Sequence, residues 1–189
     1  MVAIREFTDS QSHRVVAILG TSLADEALRK ALEFRLRQST VIEDVFKPTG
    51  GILSTINSKI QIGYLLGIFG KEERRALMGL AEIGSRFANK LTLQTFDDKD
   101  QRLLLSFNKL RLHEKYSRFP NAYAEGDSEH EVPQPRDRRE TLIVNLQLLL
   151  VILMRDRDTH LPHSNQSKPR SRLAYPEDPS GSGQRKARN

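Results

Sequence analysis

The sequence predicts an all-α fold: a single helical bundle of about five to six helices, followed by a disordered C-terminal tail. Three observations carry this. Apolar residues recur at spacings of three and four in several separate segments, the signature of amphipathic helices. The apolar content is 38% with 6% aromatic residues and no Trp, so the core must come mainly from Leu, Ile, Val and Ala, which suits packed helices better than a sandwich. The length of 189 residues fits one ordinary domain with tails to spare.

The chain divides into an N-terminal segment (1–9), a helical domain (10–155) and a basic tail (156–189). Val16, Leu19, Leu23, Ala27, Ala31 and Phe34 place one apolar stripe on a helix from about residue 10 to 37, interrupted but not ended by Gly20. "TVIEDVF" then reads as a short helix capped by Thr40 and stopped by Pro48 and the Gly50–Gly51 pair. Leu53, Ile56, Ile60, Tyr64 and Gly67 mark a second long helix, in which Gly63 and Gly67 permit close backbone approach and Gly70 provides a stop.

Ala76, Leu80, Ile83 and Phe87 define the buried face of a helix over about 71–89. Thr95 or Asp97 is the expected cap of the next, whose inner face is Leu103, Phe107 and Leu110. Residues 114–135 are rich in Pro, Gly, Asp and Glu and read as a loop or partly ordered excursion. The last helix spans about 136–155. Its apolar run, Thr141 to Met154, contains Asn145 and Gln147 and falls short of the roughly 20 residues that span a bilayer. Beyond it the sequence lacks periodicity and apolar density, as disordered tails do.

Composition excludes several chemistries. With no cysteine there are no disulfides, thiolate metal sites or Cys nucleophiles, which suits a reducing cytoplasm. Met1 to Ser10 lacks the continuous apolar region of a signal peptide, so the expectation is a cytoplasmic protein without a membrane partner. The net charge of +6 is uneven: from Arg155 onward eight Lys/Arg face four Asp/Glu. Such a tail offers weak, nonspecific contact with nucleic acid, although basic Pro/Ser/Gly-rich ends are more often simply solvated.

No phosphate loop, nucleophile elbow or H-E-x-x-H is present. His160 and His163 in "HLPH" form a metal-like pair with no third ligand nearby, so neither a metal nor any other cofactor is expected. Asp97, Asp98 and Asp100 are explained by capping and the helix dipole. "RDRRE", residues 136–140, reads as a solvated first turn. "LAEIGSRF" imitates the first helix of a helix-turn-helix reader, but Lys90 to Phe96 offers no second helix to enter a groove.

Three stretches taken together carry more: "RVVAILGTSLADEALRKAL" (14–32), "GGILSTINSKIQIGYLLGIFGKEE" (50–73) and "LAEIGSRFANKLTLQTFDD" (80–98). In order and spacing they resemble the mannitol operon repressor-like family, over roughly residues 10–112. The resemblance implies a helical bundle related to the HEPN group and a role in transcriptional control without a standard DNA-reading motif. It further implies a protein partner such as a transcription factor, and a homodimer around the motif helix. Relatives typically read Ile-Arg-Asn-x-Phe-Ala-His where this chain has Ile83 to Asn89, and in HEPN ribonucleases an Arg and a His of that pattern cleave RNA. By that resemblance Gly84, Ser85, Arg86 and Asn89 are a degenerate HEPN motif.

The chemistry explains why the changes matter. RNA cleavage needs a group that exchanges a proton near neutral pH, which Asn89 cannot do. Gly84 brings no charge to a developing phosphorane, and Arg86, about 200° further round the helix, does not replace it. Two meanings stay open for Arg86, Asn89 and Lys90. Either they contact an anion or nucleic acid without turnover, or they form a polar last turn in which Lys90 favours the dipole and Asn89 helps end the helix. The function expected is a non-catalytic regulatory or protein-interaction module. The alternatives are a nucleic-acid-binding protein using the tail or the Arg86 cluster and, remotely, an HEPN ribonuclease toxin.

Overall fold

The computed structural model describes residues 12–36, 40–117 and 132–155. Among these the secondary structure is helical without strands: α1 His13–Arg35, α2 Val41–Phe46, α3 Ile56–Leu65, α4 Lys71–Asn89, α5 Gln101–Phe107, α6 Leu112–Ser117 and α7 Arg138–Arg155. The 1–9 segment, the 156–189 tail with His160 and His163, and most of the expected 114–135 excursion lie outside the described residues. No helix among the described residues is long and apolar enough to cross a membrane.

α1 is the central element, packed against α3, α4 and α7. Ser12 starts it, its hydroxyl accepting from the Val15 N–H. Three neighbours shift the buried face away from the expected stripe. Val16, Ala17, Gly20, Ala24, Leu28, Ala31 and Leu32 are buried, whereas Phe34 is 47% exposed and Leu19, Leu23 and Ala27 are only partly covered. Gly20 therefore belongs to the core face instead of interrupting it. Lys59 of α3 is also drawn inside, and its ammonium donates to both Asp25 oxygens at 2.8 and 2.7 Å.

α3 ends sooner than the periodicity suggests. The Gly67 N–H donates to Tyr64 O (3.1 Å) and the Ile68 N–H to Gly63 O (3.0 Å), with Gly67 at φ +71°. This Schellman closure requires a left-handed residue, so Gly67 is a turn glycine. Gly63 does allow close approach, but of the Phe69 ring, which stands 2.7 Å from where a Cβ would lie. Gly70 caps the start of α4 and does not terminate α3.

Three further ends differ from expectation for local hydrogen-bonding reasons. Thr40 precedes α2 without making a side-chain cap bond. Asp100, not Thr95 or Asp97, caps α5 by accepting the Leu103 N–H at 2.9 Å. α6 occupies residues expected to open the 114–135 excursion, because Leu112 and His113 are buried against α7. α7 begins as expected near residue 136. Asp137 accepts from the Glu140 N–H (2.8 Å) while Glu140 accepts from the Arg136 N–H (2.7 Å), a reciprocal arrangement akin to a capping box.

One apolar cluster unites these elements, from Val16 and Leu28 of α1 through Ile60, Leu77, Leu80, Ile83 and Phe87 to Leu103, Leu142 and Leu149. Phe87, Phe96 and Phe107 meet edge to face at centroid distances of 5.2 and 5.3 Å, the arrangement favoured by aromatic quadrupoles. This aromatic knot sits under the end of α4.

Candidate functional site

The end of α4 is built by residues from three parts of the chain. Ala76, Leu80, Ile83 and Phe87 are buried as their spacing predicts. Gly84 lies on the same inward side. A Cβ placed there would stand 2.7 Å from Thr21 Cβ and closer still to Thr21 Oγ1. The Thr21 hydroxyl is itself fixed, within reach of Ala17 O (2.9 Å) and of Leu80 O (3.2 Å) across the interface. Glycine at 84 thus permits α1 and α4 to touch, and an arginine side chain there would point into α1.

The remaining residues of the motif turn outward. The Asn89 amide donates to Ser85 O (2.9 Å) and Ser85 Oγ (3.2 Å), closing the last turn on itself. Arg86 and Lys90 converge on one oxygen: Asp100 Oδ2 accepts from Arg86 Nη2 at 2.5 Å and from Lys90 Nζ at 2.8 Å. The Asp100 side chain is only 8% exposed, Arg86 17% and Lys90 49%. The carboxylate therefore occupies the place an external anion would need, while its other oxygen caps α5. Arg86 Nε is buried without a partner among the described residues.

Two residues that local patterning does not reveal complete the junction. The Arg14 guanidinium donates to the carbonyl oxygens of Phe87, Lys90 (3.1 Å), Leu91 (3.2 Å) and Leu93 (2.9 Å). Phe87 O is among the acceptors that the end of α4 leaves without an N–H partner, Lys90 O and Leu91 O also accept from the Leu93 N–H and the Gln94 amide, and a cation there also opposes the negative end of the dipole. His13 stacks on Phe96 with centroids 4.6 Å apart, and its Nδ1 accepts the Phe96 N–H at 2.9 Å. A basic residue at the start of α1 gives no sequence signal that it clamps a helix end so far along the chain.

The acidic run divides into three structural roles. Asp97 pairs with Arg138, which also donates to Phe96 O. Asp98 accepts the N–H groups of Gln94 (2.8 Å) and Thr95 (3.1 Å), which hold its carboxyl below the usual range. Asp100 is the cap and ion-pair hub. No helix follows α4 before Gln101, so no second helix is placed for groove reading. Among the described residues no three His, Asp or Glu are grouped to hold a metal ion. A groove of about 310 Å³ between α1 and α3 is lined by Thr21, Ser22, Asp25, Glu26 and Ile56, but its Asp25 carboxylate is already held by Lys59.

Two carboxylates at opposite ends of α4 make stability acid-sensitive. Lys90, the Leu103 N–H and Arg86 hold Asp100 far below its ordinary value of 3.8. Burial pushes Glu73 upward, but hydrogen bonds from Lys115 (2.6 Å) and Tyr116 (2.8 Å) outweigh it and leave the group below 4.5. A depressed folded pKa means that the unfolded chain takes up protons first, so the stabilisation is complete above the unfolded values and lost as pH falls below them. Urea midpoints are expected to drop steeply between about pH 5 and pH 3, and less steeply in Asp100→Asn/Glu73→Gln. Equal slopes in the two proteins would remove these carboxylates as the cause.

Comparison with protein-family models, curated proteins and solved structures finds no match to this chain.

Proposed function

We propose that this chain is a non-catalytic regulatory module that acts in the cytoplasm through a protein partner, in the manner implied by its resemblance to mannitol operon repressor-like proteins. One observation carries the non-catalytic part. The α4 end is spent on structure: Gly84 seats Thr21, Asn89 bonds back to Ser85, and Arg86 and Lys90 share the Asp100 carboxylate. No residue from 84 to 90 exchanges a proton near neutral pH. Among the described residues, His13, which stacks on Phe96 beside this end, commits Nδ1 to the Phe96 N–H.

The resemblance supplies the regulatory part, including a transcription factor as the kind of partner and assembly as a homodimer. Purified full-length protein is expected to leave single-stranded and structured RNA intact. Turnover that disappears in Arg86→Ala would overturn the non-catalytic reading. For the partner, tagged full-length protein is captured from its host, and bound protein and nucleic acid are analysed in the same sample. A reproducible, stoichiometric regulatory protein supports the reading. Enriched nucleic acid with no such protein replaces it with direct binding through the tail or the Arg86 cluster, and that binding weakens steeply with salt.

A further inference from the structure

The α3–α4 hairpin carries a feature that the regulatory reading does not use. Its tip, Tyr64, Leu65, Leu66 and Gly67, is exposed at four consecutive positions, with Leu65 at 77%, Leu66 at 44% and Tyr64 at 37%. Single exposed leucines are ordinary, but adjacent ones with an aromatic neighbour on a turn are not. The turn is also firmly shaped. The Schellman bonds at Gly67 close α3, and the next two residues, Ile68 and Phe69, are buried at 3% and 6%, with the Phe69 ring seated over Gly63. The leucines are therefore held outward by an anchored backbone.

Directly behind the tip lies a basic collar. Lys71, Arg74 and Arg75 occupy positions i, i+3 and i+4 of α4, within about 100° of arc. The Arg74 guanidinium sits 5.0 Å over the Tyr64 ring and donates to Gln61 Oε1 at 2.9 Å, which ties the collar to the tip. The two acids of the same turn face elsewhere. Glu73 is turned to Lys115 and Tyr116, and Glu72 lines a recess with Arg111, Glu114 and Lys115. The next acid on the collar's own face is Glu82, about 10 Å beyond Arg75 along the axis.

From this order of groups, apolar first and cationic one turn behind, we infer that the α3–α4 tip is a peripheral contact site for an anionic lipid surface. Leu65 and Leu66 enter the headgroup boundary, Tyr64 sits at the interface, and Lys71 and Arg75 meet phosphates. A projecting tip suits a deformable surface, and one apolar anchor alone is weak until electrostatic attraction is added. A second copy of the chain fits less well, since a two-fold contact through this tip would set the two collars against each other. This contact departs from the expectation of no membrane partner, which rested on the lack of a spanning segment and of a signal peptide and does not bear on a peripheral tip; it does not depend on the regulatory role.

The test is co-sedimentation of the full-length protein with vesicles of phosphatidylcholine alone and of phosphatidylcholine with about 30% phosphatidylserine, at low salt. Binding is expected only to the anionic vesicles. Lys71→Gln/Arg75→Gln should weaken it about 25-fold, roughly fivefold per charge, and Leu65→Ser/Leu66→Ser by about tenfold or more. The tethered Arg74 is left in place and the four altered positions are exposed, so thermal melts matching wild type establish that each variant is folded. Two results would overturn the proposal. One is no sedimentation, and a dimer, seen by size exclusion, that the Leu65/Leu66 change dissociates would then make the tip a protein contact. The other is binding indifferent to the Leu65/Leu66 change but lost on deleting residues 156–189.

Discussion

Gly84→Arg is expected to destabilise the bundle severely. The substitution introduces the residue typical of the resembled family at this position, so a reading of the motif as a degenerate active site would treat it as a repair. Packing gives the opposite result. A first side-chain carbon at 84 already collides with Thr21, whose single hydroxyl hydrogen lies within reach of Ala17 O of α1 and of Leu80 O. Overpacking of a tight core costs roughly 1–3 kcal/mol, offset in Gly84→Ala by up to about 1 kcal/mol of helix propensity. Arginine adds more atoms and an unpaired charge between α1 and α4. The loss is then about 4 kcal/mol or more, a large part of the 5–15 kcal/mol that stabilises an ordinary domain.

Circular dichroism melts of Gly84→Ala, Gly84→Arg and Gly84→Ala/Thr21→Ala check this. The expected order is a small fall for alanine, partial recovery when the Thr21 hydroxyl is removed, and a fall of more than about 10 °C or no transition for arginine. If Gly84→Arg melts within about 2 °C of wild type, the helices are not in the close contact that defines this site. Combining it with Asn89→His is expected to yield no nuclease, since an arginine at 84 displaces the α1–α4 contact that would present the pair.

Position 84 also shows where sequence reading stops. The stripe of Ala76, Leu80, Ile83 and Phe87 is legible because a helix writes its buried face locally, at fixed spacing. The absence of a side chain at 84 has two local meanings, a missing arginine or a closely packed glycine. The second becomes visible only with the approach of Thr21 from α1. Arg86 and Lys90 were legible as a cationic pair, but their partner, Asp100, lies across a turn, and Asp97 and Asp98 were equally good candidates by pattern. Likewise α1 has its core face displaced from the most apolar stripe because it is covered by α3, α4 and α7. Small residues such as Ala17, Gly20 and Ala24 win the inner positions there, and hydrophobicity alone ranks them low. Arg14 and His13 were invisible for the same reason: what they hold is distant in sequence.

Asn145→Ala should release α6 while leaving the α1–α3–α4 core largely in place. Asn145 is fully buried on α7, in a stretch whose other buried residues are apolar. Its Oδ1 accepts the Leu112 N–H at 2.7 Å, and its amide donates to Thr141 O at 2.7 Å and contacts His113 Nδ1 at 2.9 Å. With one amide hydrogen on Thr141, the other reaches His113, so the ring nitrogen acts as acceptor. The Leu112 N–H is one of the orphan donors at the start of α6, so a residue 33 positions away performs the role of an N-cap. Alanine strands that donor and the His113 acceptor in the interior, at about 1–3 kcal/mol for each group; the sum is roughly 3 kcal/mol once partial relaxation is allowed. At its other end α6 is held by the bonds from Lys115 and Tyr116 to Glu73. The stability losses of Asn145→Ala and Glu73→Gln should therefore add to within about 0.5 kcal/mol in the double variant if each fastens its own end. Amide exchange supplies the decisive reading. Protection of residues 112–116 should fall well before that of residues 76–87, and uniform loss across both stretches would mean that Asn145 stabilises the whole bundle and not the docking of α6.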